Sequence, residues 1–245
     1  AMGGMRDASA KDIEAITGHA LNLAGAFDVD VAEAATTAGS LMKNGLAKDA
    51  TGAFDLITGA MQQIPASLRG EVLPVMDEYG KHFAALGIDG ETSIGMIVAA
   101  SADGAIGMDK MGDALKEFTI RATDMSKSTS GVYDTLGLDM EDMTNKLLAG
   151  GETAEGAMAQ IVHGLQNIKD PGEQAAASLA LFGTPLEDLG TDQIPNFLGM
   201  VDPMGDAFAS LDGKAAEMGN TLNGNTAVSL ETVKRSFMGM LTEGI

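Results

Sequence analysis

The chain contains no cysteine and no tryptophan, and aromatic residues make up only 4% of its 245 residues. Without cysteine, disulfide bonds and thiolate metal sites are excluded. With so few aromatic rings, the core must be built from Ala, Leu, Ile, Val and Met, which pack helices closely together, whereas strands are enriched in aromatic and β-branched residues. No run of alternating apolar and polar residues predicts a strand. The sequence therefore predicts an all-α fold.

Long apolar runs and basic residues are also scarce. The longest nearly apolar stretch, Ile94 to Ala102, is far too short to span a bilayer, and no secretion signal opens the chain. The 15 Lys and Arg residues stand against 35 Asp and Glu residues, which gives a formal net charge of −20. Nucleic-acid binding needs a basic surface. We therefore expect no membrane span in this segment and no nucleic-acid partner.

Glycine, by contrast, is abundant, with 32 residues. Because glycine destabilises a helix interior by about 1 kcal/mol relative to alanine, most of these residues should lie at helix ends. An apolar content of 45% is typical of a folded protein. The composition predicts many short, glycine-terminated helices in a compact, irregular bundle.

A short phrase recurs three times, each time before a helical pattern. An apolar residue, a turn residue and a second apolar residue precede an aspartate, as in Phe27-Asp28-Val29-Asp30, Leu86-Gly87-Ile88-Asp89 and Leu136-Gly137-Leu138-Asp139. The aspartate is a natural N-cap, because its carboxylate accepts hydrogen bonds from the free amides of the first turn. The Leu-Gly pair suits the end of the preceding helix, with glycine in a left-handed turn. The phrase thus predicts where one helix ends and the next begins.

Each phrase introduces a pair of helices, which we call units 1, 2 and 3. In unit 1 the first helix is expected to end at Gly45 and the second to be capped by Asp49. The second helices of units 1 and 3 share a pattern, seen in Gly52-Ala53-Phe54 and Gly156-Ala157-Met158. The matching part of unit 2, within residues 104–118, needs a one-residue insertion. The pattern predicts degenerate helix-pair repeats about 50 to 60 residues apart.

Proline marks further predicted boundaries. We expect the stretch from Ala66 to Ala85 to be kinked or divided at Pro74. Cap and proline rules predict helix starts at Asp170-Pro171-Gly172-Glu173 and Thr184-Pro185-Leu186-Glu187. After these, we predict a looser connector that contains Pro195 and Pro203. Two last helices are predicted at Ala207–Leu222 and Leu230–Leu241.

These boundaries suggest three parts of the chain. Residues 1–8 form a flexible start, in which Ala1-Met2 is typical of residues that a cloning tag leaves behind. Residues 9–170 form a helical domain with the three units. Residues 171–245 form a C-terminal helical part that leads into the rest of a longer protein.

Pairs of acidic residues are the first candidates for acid–base catalysis or cation binding. Helix capping explains these pairs better than either role. Asp28-x-Asp30 is too short for a calcium-binding EF-hand loop. Glu141-Asp142 and Glu187-Asp188 fall in predicted first helical turns, where acids favour the positive end of the helix dipole. Paired carboxylates of a glycosidase meet only in space, and nothing in the sequence points to such a pair.

Histidines and glycines give no site either. His19, His82 and His163 lack a second ligand at zinc-binding spacing, and no Gly-x-Ser-x-Gly elbow indicates a serine nucleophile. Gly150-Gly151 and Gly104 to Gly107 lack the preceding strand and the Gly-Lys-Ser/Thr phrase of nucleotide loops. We predict no catalytic, cofactor-binding or metal-ligating residue, no cofactor and no small-molecule substrate.

The 17 methionines leave two interpretations open. Flexible thioethers form adaptable binding surfaces in some proteins and fill gaps in cores in others. The core interpretation is favoured in a chain short of aromatics. The residues concerned are Met108, Met111, Met140, Met143, Met200 and Met204.

The order of these elements resembles the central region of phage tail tape measure proteins. The Leu-Gly-Ile/Leu-Asp entries, the Ala-rich helices after Lys48-Asp49 and Met108-Asp109, and the Leu181-Phe182-Gly183 phrase carry the resemblance. So do Lys214-Ala215-Ala216-Glu217-Met218 and the final stretch from Leu230 to Met240. The likeness covers about Ala20 to Ile245 and departs from the family pattern at Phe27-Asp28, which weakens the register of unit 1.

The resemblance implies a structural and assembly role rather than catalysis. A tape measure protein sets the length to which tail-tube subunits polymerise, and it leaves the tail ahead of the DNA. The implied partners are other tail proteins, namely the tube, assembly chaperones and tail tip, with self-association left open. The implied location is the virion tail, after synthesis in the host cytoplasm.

The sequence adds a restriction and leaves two alternatives. A ruler is best made of long helices, at about 1.5 Å per residue, whereas this segment has many glycine breaks and no sustained heptads. We therefore expect a folded insert beside the ruler proper, and the sequence leaves open whether it is compact only outside the tail. The alternatives are a host helical adaptor unrelated to phage and a cell-wall-hydrolysing tail domain, although no hydrolase motif is present.

Overall fold

The computed structural model describes residues 10–203, with side chains described from residue 16. This part of the chain contains no strand, which confirms the all-α prediction. It folds into eleven α-helices, with two 3₁₀ turns at Ala66–Glu71 and Thr184–Leu186. The helices are α1 (Ala10–Phe27), α2 (Val31–Lys43), α3 (Ala50–Gln63), α4 (Val72–Ala85), α5 (Gly90–Asp103), α6 (Met108–Arg121), α7 (Lys127–Leu136), α8 (Met140–Ala149), α9 (Gly151–Gln166), α10 (Pro171–Phe182) and α11 (Ile194–Met200).

In each copy of the recurring phrase a residue with positive φ follows the preceding helix, although the hydrogen bonds differ, because the amide of Asp28 donates to the carbonyl of Ala24 at 3.0 Å. After α4, the amide of Gly87 donates to the carbonyl of Ala84 at 3.0 Å and the amide of Ile88 to that of Phe83 at 3.1 Å. This is the pattern of a left-handed helix end, and both Gly87 and Gly137 have positive φ angles, of 75° and 68°. Asp28, at φ 56°, takes the same position before α2. Aspartate tolerates this conformation better than most residues, so unit 1 keeps the register despite its departure from the family pattern.

The aspartate of each phrase caps the following helix, as predicted. The carboxylate of Asp30 accepts from the amides of Ala32 and Glu33, both at 2.9 Å. The carboxylates of Asp89 and Asp139 each accept from an amide three residues on, at 2.7 Å. Units 1, 2 and 3 are therefore the helix pairs α2–α3, α5–α6 and α8–α9. Their shared pattern falls on buried positions, namely Ala53, Phe54 and Ile57 in α3, Ala114, Leu115 and Phe118 in α6, and Ala157, Met158 and Ile161 in α9.

The helix pairs surround one continuous core. Nine consecutive residues of α3, from Ala53 to Met61, are buried. A second focus lies where α6, α10 and α11 meet, because the ring of Phe182 stacks on Phe118 at 4.8 Å and meets Phe197 edge-on at 5.0 Å. The expectation of a core made only of aliphatic side chains was therefore incomplete. The few aromatic rings are concentrated at the centre, where each buries a large apolar area.

Three proline-based boundaries were wrong. Pro74 lies in the first turn of α4, and the chain divides before it, at Glu71. Thr184-Pro185-Leu186 forms a single 3₁₀ turn rather than the start of an α-helix, so Glu187 and Asp188 follow it. Pro195 lies inside α11 rather than in a loose connector. Each proline sits at the beginning of a helical segment, where its missing amide would be unpaired anyway.

The remaining boundaries divide into confirmed and untested ones. Asp170 caps α10 by accepting from the amide of Glu173 at 2.8 Å. The helices predicted at Ala207–Leu222 and Leu230–Leu241, and the flexible start at residues 1–8, lie outside the described residues. The division into parts at residue 170 stays a prediction.

Candidate interaction surface

The acidic residues of the described chain chiefly serve helix starts and ion pairs. Besides the aspartates of the three phrases, Asp49 caps α3 by accepting from the amide of Gly52 at 2.9 Å. Asp142 lies in the first turn of α8 and pairs with Lys146 at 2.6 Å. Asp188 pairs with Lys110 at 2.7 Å, and this hydrogen bond and charge lower the pKa of the aspartate below its usual value. Asp49 and Asp142 support the capping interpretation, whereas the prediction was wrong for Asp188, which follows a 3₁₀ turn and forms an ion pair instead.

The three histidines lie on different helices and have different surroundings. The ring of His19 in α1 stacks on Phe54 at 5.7 Å, and burial lowers its pKa. The ring of His82 in α4 lies 3.3 Å from the hydroxyl of Thr119, and burial again lowers its pKa. His163 in α9 lies 2.9 Å from a carboxylate oxygen of Asp202.

The described residues include no group of three or more His, Asp or Glu side chains that could share a metal ion. The predicted absence of metal, cofactor and catalytic residues stays a prediction. The same part of the chain has no helix that is both long and apolar enough to cross a bilayer.

The methionines mostly belong to the core. Met108, Met111 and Met143 are buried, whereas Met140 and Met200 are half-buried and pack against the core. Met204 lies outside the described residues. The gap-filling interpretation therefore holds for the described members of the set, and no methionine-rich surface is formed by them.

Four large apolar side chains are exposed on the described surface instead. They are Ile120 at 53%, Met125 at 49%, Leu148 at 70% and Leu179 at 36%. Two of them lie close in sequence where α6 ends and α7 begins, a region that we call the α6–α7 corner (residues 120–129). Single exposed apolar residues are ordinary. The corner differs because its backbone holds one of them in a strained conformation.

Met125 has a φ angle of 55°, which is uncommon for a residue with a long side chain. Hydrogen bonds on both sides hold this turn. The carboxylate of Asp124 accepts from the amide of Ser126 at 2.8 Å and from the hydroxyl of Thr129 at 2.9 Å. The hydroxyl of Tyr133 donates to the carbonyl of Ala122 at 2.8 Å. The corner therefore presents Met125 outward from a well-braced turn.

The same hydrogen bonds affect the electrostatics of the corner. Burial by itself would raise the pKa of Asp124, but the hydrogen bonds from Ser126 and Thr129 and the charge of Arg121 lower it below its usual value. Along α6, Lys116 pairs with Asp113 at 2.9 Å and Arg121 with Glu117 at 2.6 Å. The basic residues of α6 thus neutralise their neighbours, so this side of a very acidic chain is locally close to neutral.

Two exposed apolar side chains beside a hydrogen-bonded turn make the corner a candidate for contact with another protein. Sequence patterns did not reveal it. Ile120 and Met125 fall outside the periodic apolar faces, and the backbone strain at Met125 appears only in three dimensions. The corner is the described surface that best fits an assembly role.

Comparisons with known proteins agree with such a role. Residues 1–183 match the family model described as "Phage-related minor tail protein". Over 228 residues the chain is 30% identical to the "Probable tape measure protein" of Streptomyces phage phiC31. That alignment covers 92% of this chain but only 30% of the relative, so the chain spans less than a third of that protein's length. No solved structure matches the chain. The chain therefore belongs to the phage-related minor tail protein family, which confirms the predicted phage-tail assignment and supports a structural role in the tail.

Proposed function

We propose that this chain is a folded segment of a tape measure protein, which determines tail length during assembly and leaves the tail when DNA is ejected. The proposal rests on the 30% sequence identity to a probable tape measure protein, in an alignment that covers 92% of this chain. The family match favours it over a host adaptor unrelated to phage.

The helix lengths support a folded insert rather than a stretch of the ruler itself. The longest described helix has 18 residues and the shortest α-helix has 7. Capped ends and left-handed turns interrupt the chain between them, and a single core connects them all. A compact chain of this size has a radius of gyration of about 18 Å, whereas the same residues in one continuous helix would extend over about 370 Å.

Tail length in electron micrographs tests both parts of the proposal. One phage carries an in-frame deletion of residues 10–203, and a matched phage carries a deletion of equal size in the remainder of the parent protein. We expect the matched deletion to shorten the tail by about 290 Å, at about 1.5 Å per helical residue. Deletion of the folded segment should change the length by no more than the diameter of a compact body, roughly 40 Å.

The two possible failures differ. If the segment deletion also shortens tails by about 290 Å, the segment is part of the ruler and the folded-insert proposal is wrong. If neither deletion changes the length of assembled tails, the tail-length role itself is wrong.

Location, partners and chemistry complete the proposal. We expect the chain to be made in the host cytoplasm, to contact tube, chaperone or tail-tip proteins during assembly, and to lack catalytic activity. Peptide mass spectrometry of purified tails should find its peptides within one long polypeptide. Their absence from well-covered tails would contradict the virion location. A cleared band in a peptidoglycan zymogram would contradict the non-catalytic role.

A further inference from the structure

The turn between α4 and α5 is the place where all three units touch. It contains Gly87 and Gly90, and each lies directly against the backbone of another unit. A Cβ atom added to Gly87 would overlap the carbonyl oxygen of Gly151, the first residue of α9 in unit 3. A Cβ atom added to Gly90 would overlap the carbonyl oxygen of Leu46, between the helices of unit 1.

The equivalent positions of the other phrases show that these contacts are particular to unit 2. The residue after the capping aspartate is Val31 in unit 1 and Met140 in unit 3, but Gly90 in unit 2. Gly137 takes the place of Gly87 in unit 3 and has a similar φ angle, yet no atom lies within 4 Å of an added Cβ. Helix-start chemistry alone therefore does not require glycine at position 90, whereas the neighbouring carbonyl does.

The position of α9 against the same turn also has an electrostatic consequence. The pKa of Glu155 in α9 is raised, first by burial and then by the negative charges of Asp89 and Glu152. Asp89 is the cap of α5, so the start of unit 2 and the first turns of unit 3 share one environment. Two residues beside these contacts are buried, since Ile88 is 2% exposed and Gly90 is buried, whereas Gly87 is half-buried and the cap Asp89 is exposed.

We infer that the α4–α5 turn is a lock that makes the three helix pairs open and close as one body. Interiors pack closely and rearrange between discrete states rather than deforming gradually. Because the carbonyls of Leu46 and Gly151 rest on the turn without intervening side chains, separating unit 1 or unit 3 from unit 2 disrupts the fold at its centre. Such a segment passes between folded and extended states in one step, with no half-open intermediate. The use of this step in a tail rests on the proposed function, whereas the lock itself does not.

Hydrogen exchange of the purified 245-residue chain, followed by mass spectrometry, tests the lock. Under conditions where exchange is limited by opening, peptides from α2–α3 and from α8–α9 should exchange in one correlated step with the same rate. Gly87→Ala should break this coincidence, with α8–α9 opening at least ten times faster than α2–α3. Gly90→Ala should have the complementary effect and speed the opening of α2–α3 relative to α8–α9.

Gly137→Ala is the matched control, because it introduces the same backbone strain at the same place in the phrase without touching another unit. It should speed the opening of all three units together. Independent opening of α2–α3 and α8–α9 in the unchanged chain would overturn the inference even if neither glycine variant folds. Equal uncoupling by Gly137→Ala and Gly87→Ala would overturn it as well. These results concern the isolated chain, so they are separate from any failure of the tail-length experiment.

Discussion

Units 1 and 3 have the same local design but different places in the fold. Each begins with a left-handed turn and a capping aspartate, and each places an apolar triplet of its second helix in the core. In unit 1, residues 44–49 join the two helices, and α3 is enclosed by α1, α2, α4 and α5. In unit 3, Gly150 alone joins the helices, and α8 packs chiefly against α7 and α9.

The difference teaches what a repeated sequence pattern controls. Caps and turns act within a few residues, so they fix helix boundaries wherever they occur. Burial depends on which other helices pack around an element. Thus the first and second helices of unit 1 have five and nine buried residues, whereas those of unit 3 have three and seven, and α8 exposes Leu148 to 70%.

Truncation of a large side chain in each unit should show this contrast most strongly. Phe54 is fully buried in α3, so Phe54→Ala is expected to lower the free energy of unfolding by about 3–5 kcal/mol. Leu148→Ala in α8 should change it by less than about 0.5 kcal/mol. Urea denaturation followed by circular dichroism measures both. A large loss for Leu148→Ala would mean that the outer face of α8 is covered in solution.

Addition of one methyl group tests a second contrast in packing, between the second helices of units 2 and 3. A Cβ on Gly112 in α6 would overlap the ring of Tyr79, so Gly112→Ala is expected to destabilise the fold by about 1–3 kcal/mol. Gly156, at the corresponding place in α9, has no atom within 4 Å of an added Cβ. Gly156→Ala should therefore stabilise the chain by about 0.5–1 kcal/mol through helix propensity. If both variants are stabilising, Tyr79 moves aside easily and α4 and α6 pack less tightly than described.

These contrasts also show which features the sequence could predict. Asp30, Asp89, Asp139 and Asp170 act on amides two or three residues away, so their roles as caps followed from local chemistry. The boundaries predicted from proline were misleading because proline is also tolerated in the first turn of a helix. Only packing decides whether a helix ends before the proline or has just begun.

The surface was harder to predict than the core. The burial of Met108, Met111 and Met143 agreed with the gap-filling interpretation, because helical spacing places them on one side of a helix. The α6–α7 corner escaped detection because its exposure depends on how distant helices pack, which local patterns do not record. The backbone contacts of Gly87 and Gly90 depend on Gly151 and Leu46, which lie far away in the chain, so no local pattern records them.

The pH dependence of the free energy of unfolding should show a smaller difference between units 1 and 3, at the ionisable groups that lie beside each unit. Burial lowers the pKa of His19, which stacks on Phe54 of unit 1, below the usual 6.5. Between the lowered pKa of His19 in the folded chain and its usual value of 6.5, the unfolded chain binds more protons than the folded chain. The free energy of unfolding therefore decreases as the pH falls below about 6.5. We expect His19→Gln to reduce the loss of stability between pH 7.5 and 5.5. His82 is the internal comparison, because burial lowers its pKa as well. An unchanged pH profile for His19→Gln would contradict a buried, neutral ring.

The smallest expected effect has the opposite sign and belongs to unit 3. The pKa of Glu155 is raised by burial and by Asp89 and Glu152, so the folded chain holds this proton more tightly than the unfolded chain. Stability is then lost as the pH rises through the raised pKa. Glu155→Gln should therefore stabilise the chain at pH 7 by about 0.2–0.5 kcal/mol, the usual size of one repulsion between partly exposed like charges. The gain should disappear near pH 4, where the glutamate is already protonated. Thermal unfolding at the two pH values measures it, and Glu187→Gln, at an exposed site outside the α-helices, is the control. A gain of equal size at both pH values would show that packing of the amide, rather than removal of the charge, is the cause.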